Sequence, residues 1–497
     1  MHPDLAAPLR DALLRADYVH DAVGELLGEE AHRALQRNET LPGMRRTADG
    51  SPLATLVRLF LLQRPVSAEA AERALPDLVD RLAAAGLLER SVSEVAARMD
   101  VRPYGTAEGE DLWVVSDLTP GLDGTATTVG PDHVLGISSA STSLAQLTLR
   151  EEVGSALDLG TGCGVQALHL AAHAGRVVAT DVNRRALDVA RFNMALNEVE
   201  DRVEVRDGSF FGAVAGERFD LIATNPPFVI SPATGERLVY RDSGLPGDQV
   251  VEHIVRTAPD HLTDGGWCQV LANWVIAEDQ PWDERLGAWL STDCDAFVVQ
   301  REVLDPSAYV ELWLKDSGHH PSTGGDPAEY VRRYDTWLSW LGDQGVAGIG
   351  FGWINLRKHA AGSATQAPTT HDLLEWPYEV EKPIAPAVAE WAETTAAAVT
   401  TETRLATRSD VRQETLGPVG AEDPSTIVVR RQRGLRRARQ VDTVLAAALG
   451  ACDGELSIGQ ILAAVAQLLE QDPAEVTEQY LPEVAAMVRE GFLAPVD

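Results

Sequence analysis

Leu157–Ala171 reads LDLGTGCGVQALHLA: an apolar segment, an acid, three glycines at alternate positions, then a run with helical periodicity. SALDLG fits a central strand buried on both faces, which reads as a continuous apolar run. Gly160, Gly162 and Gly164 then permit positive φ and let a ligand lie close to the backbone. A strand delivering a glycine turn to a helix N-terminus suits a nucleotide-like cofactor. The spacing is G-x-G-x-G. The dinucleotide fingerprint has one more residue before its last glycine, so pyrophosphate binding and a dehydrogenase are disfavoured.

The segments that follow repeat the pattern. RVVATD, VEVRDG, FDLIATN, WCQVLANW, DAFVVQREVL and GIGFGWINLRK read as strands, and helices such as NRRALDVARFNMALNE separate the first of them. Alternating apolar strands and amphipathic helices predict an α/β, doubly wound, mainly parallel sheet. Such sheets bind ligands at the carboxyl ends of their strands. Three successive tips carry acids there: Asp158 with Gly160, Asp181 in VVATDVN, and Asp207 in VRDGSFF. Unpaired acids are costly at buried tips, so an adenosyl cofactor is the expected partner. Asp181 would accept both ribose hydroxyls, Asp207 the adenine amino group, and Phe210 and Phe211 would flank the ring. Thr161, Val182 and Gly208 stand beside these residues in the same turns.

The fourth strand, FDLIATNPPFVISP over Phe219–Pro232, ends in two prolines that cannot donate to a ladder. An amide or base NH2 nitrogen is a weak nucleophile because its lone pair is delocalised. Holding its two N–H bonds turns the lone pair toward an incoming methyl group without a titrating base. The Asn225 side-chain oxygen and the Pro226 carbonyl supply two acceptors, Pro226 and Pro227 fix the backbone, and Phe228 offers a face to a planar group.

With the glycine turn, the three acids and Asn225-Pro226-Pro227-Phe228 in place, residues 131–274 resemble the class I S-adenosylmethionine-dependent methyltransferases. Within them the chain resembles the Asn-Pro-Pro-aromatic branch, which includes the HemK-like protein-glutamine N5-methyltransferases and the rRNA guanine-N2 and adenine-N6 enzymes. The resemblance implies S-adenosylmethionine as cofactor and a Rossmann-like seven-stranded sheet whose last strand, GIGFGWINLRK, is antiparallel. It assigns catalysis to Asn225, Pro226, Pro227 and Phe228, and cofactor binding to Asp158, Gly160, Thr161, Gly162, Gly164, Asp181, Val182, Asp207, Gly208 and Asn225. In HVLGISSASTSLAQLTLR the family covers the cofactor's methionine end with an Arg and a Thr-Glu. Here only Thr142 is present, so Ser138–Ser143 either lie there or simply cap a helix. VYRDSGLPGDQVVEHIVRTAPDHLTDGGW resembles the archaeal and eukaryotic glutamine enzymes.

The flanks bound the rest. At 497 residues the chain needs several cores. Residues 1–125 read as a helical, winged-helix-like domain, 126–360 as the methyltransferase domain, 361–440 as an extended connector with some strand, and 441–497 as a helical domain. No apolar run is long enough to span a membrane, and the start lacks a signal-peptide core. The four cysteines are far apart, which with no HExxH predicts no metal site and a cytoplasmic setting. His319 and His320 read as a solvated loop. The formal net charge of −33 opposes extended phosphate binding and favours a protein substrate. A nucleobase or a small-molecule amine stays open, because RRQRGLRRARQ over Arg430–Gln440 concentrates six arginines. That cluster either faces the protein's own acids or docks an acidic partner or RNA. The oligomeric state is not legible.

Overall fold

The computed structural model describes residues 2–106, 109–124, 129–232, 245–360, 369–395, 397–419 and 425–496. The expected domain boundaries near 126 and 361 fall on residues outside these, as does VYRDSG, the first six residues of the stretch quoted above. The chain divides into two compact units: residues 1–145, 151–362 and 373–375, and residues 146–150, 363–372 and 376–497.

The first unit is built on an eight-stranded sheet: β1 Val153–Leu159, β2 Ala174–Asp181, β3 Val203–Asp207, β4 Phe219–Thr224, β5 Leu262–Ala277, β6 Cys294–Leu304, β7 Val346–Lys358 and β8 His371–Glu375. Their order is β8-β6-β7-β5-β4-β1-β2-β3. β1 pairs in parallel with β2 and β4, β2 with β3, and β4 with β5. β7 runs antiparallel between β5 and β6, as expected of GIGFGWINLRK. The expected count of seven is corrected to eight, because β8, taken as part of the connector, lies at the β6 end of the sheet. A strand there covers ladder groups that β6 would otherwise leave unpaired.

Leu157, Leu159, Ile222, Val270 and Ile354 from four of these strands meet in one buried core, which explains their near-continuous apolar runs. The winding direction reverses between β1 and β4, so a crevice opens at the carboxyl ends of that pair. Helices α1 Val165–Ala171, α2 Arg184–Leu196 and α3 Gln249–Thr257 flank it. Two more helices, α4 Pro306–Asp316 and α5 Pro327–Asp343, are inserted between β6 and β7.

VRPYG and DLWVVSDL form the expected strands, pairing as an antiparallel hairpin of Met99–Gly105 and Asp111–Asp117. Two amides, Asn193 in α2 and Asn197 just after it, take the place of a third strand. Asn197 exchanges hydrogen bonds with the Trp113 N–H and C=O at 2.9 and 2.8 Å, and Asn193 does the same at Val115 at 2.8 and 2.9 Å. Asn193 Nδ2 also donates to the Cys163 carbonyl at 2.7 Å, which ties the hairpin to the glycine turn. A side-chain amide carries both a donor and an acceptor, so it can satisfy an exposed strand edge.

In the second unit Val411–Leu416, Thr426–Arg431 and Ala438–Val441 form an antiparallel sheet. The arginine cluster lies in its last two strands and the turn between them. Ser457 opens a helix with a reciprocal capping box, and Asp472 caps the next at Pro473, as their sequence signals indicate.

Candidate active site

The three glycines have positive φ (+80°, +54° and +90°) for different reasons. A Cβ on Gly164 would come within 2.7 Å of Met194 Cε, so this glycine lets α1 pack on α2. At Gly160 and Gly162 a Cβ would meet nothing within 4 Å, which leaves open space above the turn.

Asp158 lies beneath that turn and is 1% exposed. Its Oδ2 accepts from the Thr161 hydroxyl at 2.5 Å and the Ala167 amide at 3.0 Å, so it braces the turn and the start of α1. Burial pushes its pKa up to about 7, with these two bonds opposing the shift. Asp181, at the tip of β2, accepts from the Gly162 amide at 2.9 Å and the Asn183 amide at 2.8 Å. Burial raises its pKa too, against those amides.

Asp207 is placed differently from the expectation. It is exposed, its oxygen lies 3.6 Å from Arg184 Nε, and it does not line the cleft. Gly208 lines the cleft in its stead and donates its amide to the Asp181 carbonyl at 3.1 Å. Of the two phenylalanines, Phe210 lines the cleft and meets His253 edge to face at 4.8 Å. Phe211 is buried, stacked on His261 at 4.5 Å, and belongs to the core.

Asp158, Gly160, Thr161, Gly162, Asp181, Val182, Gly208, Asn225, Pro226 and Pro227 come together around one open cleft. Gly164 and Phe228 stand outside its lining. The structure adds Gln166 and Ile254, and from the HVLGIS stretch it brings in His133, Val134 and Gly136, which were not singled out. Asp117 holds the strap they begin: it accepts the Val134 amide at 2.7 Å, donates its own amide to the Val134 carbonyl at 3.1 Å, and ion-pairs with Arg185. These partners are too distant in sequence for any local motif to reveal them. Ser138 and Ser141 cap each other reciprocally and Thr142 bonds back to the Ser138 carbonyl, so this stretch does cap a helix, while Ser138 and Ser141 also line the cleft.

On the other wall the Thr224 hydroxyl donates to the Leu159 carbonyl at 2.7 Å and locks β4 to β1. Asn225 follows. Its Oδ1 is fully buried and has no hydrogen-bond partner among the described residues. Phe228 packs edge to face on Trp313 at 6.4 Å. The set fits an adenosyl cofactor: open space over two left-handed glycines, an acid at the next strand tip, and an unused acceptor at the far wall.

Residues 136–290 match a family model described as methyltransferase small domain. A release factor glutamine methyltransferase from Cereibacter sphaeroides is 34% identical over 209 residues, which cover 39% of this chain and 68% of that protein. The chain belongs to the class I S-adenosylmethionine-dependent methyltransferases. A ribosomal protein uL3 glutamine methyltransferase from Bradyrhizobium diazoefficiens is 33% identical over 32% of the chain and 53% of its own length. A ribosomal RNA small subunit methyltransferase C from Cronobacter sakazakii is 31% identical over 38% of the chain and 51% of its own. The chain thus spans about half the length of several of the methyltransferases it matches. Outside the methyltransferase region, residues 15–98 and 387–495 match two further models, each described as a domain of unknown function. Among the described residues no helix is long and apolar enough to cross a membrane.

Proposed function

We propose that this methyltransferase transfers a methyl group to a planar NH2 nitrogen, and that the acceptor is a glutamine side chain of a protein. The observation that carries the reading is the buried Asn225 Oδ1 at the cleft wall, which has no hydrogen-bond partner among the described residues. An acceptor with no partner inside the protein costs stability unless a ligand donor meets it. In this reading Asn225 Oδ1 and the Pro226 carbonyl each hold one N–H of the acceptor. Pro227 keeps the backbone rigid, and Phe228 offers a face to the amide plane. Orientation then exposes the nitrogen lone pair without a base.

S-adenosylmethionine, when bound, supplies an electrophilic methyl group. Gly160, Thr161, Gly162, Asp181, Val182 and Gly208 would hold it, with Asp181 facing the ribose. Asp158 and Gly164 would act from beneath by shaping the turn, and Asp207 would reach the cofactor only by leaving Arg184.

Relatives named for glutamine methylation support the protein acceptor, and a relative named for ribosomal RNA supports a nucleobase. The arginines favour the first reading. Arg430, Arg431, Arg436 and Arg439 each lie within ion-pair distance of a carboxylate of the second unit. Arg431 and Arg439 are the more buried of these, Arg430 and Arg436 sit in exposed pairs, and the net charge of −33 opposes a phosphate backbone.

Labelled-methyl transfer into fractionated lysate tests the assignment. The label should survive nuclease, disappear with protease, and fall only mildly with salt. A nuclease-sensitive labelled product would replace glutamine with a nucleobase.

A further inference from the structure

The residues of the clamp are a short span between two fixed points. At one end Thr224 is held by its hydroxyl on Leu159 and by its place between β1 and β5. At the other end Ile230 is fully buried, and both of its backbone groups are taken by side chains from the helices inserted between β6 and β7. Its amide donates to the Tyr309 hydroxyl at 2.8 Å, and its carbonyl accepts from Trp337 Nε1 at 3.0 Å.

The hydroxyl is itself fixed. Asn273 Nδ2, from β5, donates to it at 3.1 Å, so the two N–H donors use both of its acceptor sites. Tyr309 is fully buried and lies edge to face with Trp337 at 6.4 Å and against Phe351 at 5.9 Å. One helical turn along α4, Trp313 packs on Phe228. Residues four apart share a helix face, so α4 touches the clamp segment both at its aromatic residue and at its downstream anchor.

We infer that Tyr309 and Trp337 are positioning residues of the acceptor clamp: through the two backbone bonds to Ile230 they set where Asn225 Oδ1 and the Pro226 carbonyl stand. This rests on the methyl-transfer reading above. The inserted helices thereby act as a brace for the reacting group, and neither anchor lines the cleft.

The test uses the full chain with Tyr309→Phe, which deletes one oxygen, and Trp337→Phe, which keeps an aromatic ring and deletes one N–H. Displacing an oriented reactant by about 1 Å can cost 100-fold, so kcat for labelled-methyl transfer should fall about 10- to 100-fold in each variant. The acceptor KM and the calorimetric affinity for S-adenosylmethionine should stay within about twofold, which general unfolding would not allow. In the double variant the losses should be less than multiplicative, since both act through one residue. Hydrogen exchange of the peptide spanning 225–232 should quicken in Tyr309→Phe while peptides of β1 and β2 keep their rates.

Unchanged kcat in both folded variants overturns the inference, as does a loss that follows cofactor affinity. If Tyr309→Phe fails to fold, Trp337→Phe carries the same kcat and KM comparison alone. If the wild-type chain transfers no methyl group to any fraction, the methyl-transfer reading has failed. Exchange then decides the anchoring separately: quickening at 225–232 supports it, and an unchanged rate overturns it.

Discussion

Asp181 Oδ2 accepts the Gly162 amide at 2.9 Å, so the tip of β2 and the middle of the glycine turn form one hydrogen-bonded unit. The same carboxylate holds the Asn183 amide with its other oxygen and still lines the cleft. A residue with both duties shapes the site and faces the ligand at once.

Asp181→Ala should therefore weaken S-adenosylmethionine binding by about 1.5–3 kcal/mol, through lost charge-assisted hydrogen bonds and a looser turn. Calorimetry on the folded variant checks this, and unchanged affinity would remove Asp181 from the ribose side.

The two kinds of glycine should separate. Gly164→Ala meets Met194 Cε at 2.7 Å as well as a positive φ, and should destabilise by about 2–4 kcal/mol in urea denaturation. Gly160→Ala meets only the positive φ and should cost about 1 kcal/mol. Its methyl group would intrude on the cofactor's space, so affinity should drop more than stability.

Asn225→Ala should abolish methyl transfer and leave cofactor affinity within a few-fold. Because the wild-type oxygen is buried without a partner among the described residues, its removal should leave stability unchanged or raise it. A variant that retains near-normal turnover would end the orientation mechanism.

Asp158 gives a pH signature. Its folded pKa of about 7 lies above the ordinary value of 3.8, so the folded state holds the proton more tightly. The stability this contributes is complete below about pH 4, is lost as pH rises toward 7, and stays lost above it. Asp158→Asn keeps an acceptor oxygen for Thr161 and Ala167 but cannot ionise, so the fall in stability between pH 4 and 7 should flatten. Denaturation midpoints across that range measure it.

Arg431 is 7% exposed on its side chain and pairs with both Glu390 and Asp410. Arg431→Ala leaves Asp410 without its cation and Glu390 with Arg408 alone, and should cost about 2–4 kcal/mol. Arg430→Ala breaks only an exposed pair with Glu414 and should scarcely move the urea midpoint.

What the sequence determined by itself is local. Continuous apolar runs of a few residues fixed the parallel strands, the G-x-G-x-G spacing fixed the turn, and Asn-Pro-Pro-Phe marked the tip of β4, because each signal is carried by neighbours in the chain. The inserted helices went unread, although each starts with an N-cap acid before a proline, at Asp305-Pro306 and Asp326-Pro327. Tertiary structure alone decided which acid faces what. Asp158 turns under the glycine turn, Asp181 lines the cleft, and Asp207 goes outward to Arg184, although all three end strands in the same way. It also decided the strap pinned by Asp117, the carboxylates that take up the arginine cluster, and the anchoring of Ile230 by Tyr309, 79 residues away. The physical reason is range: a strand's apolar period is written in adjacent residues, whereas a hydrogen bond or an ion pair is chosen by whatever the fold brings within about 3 Å.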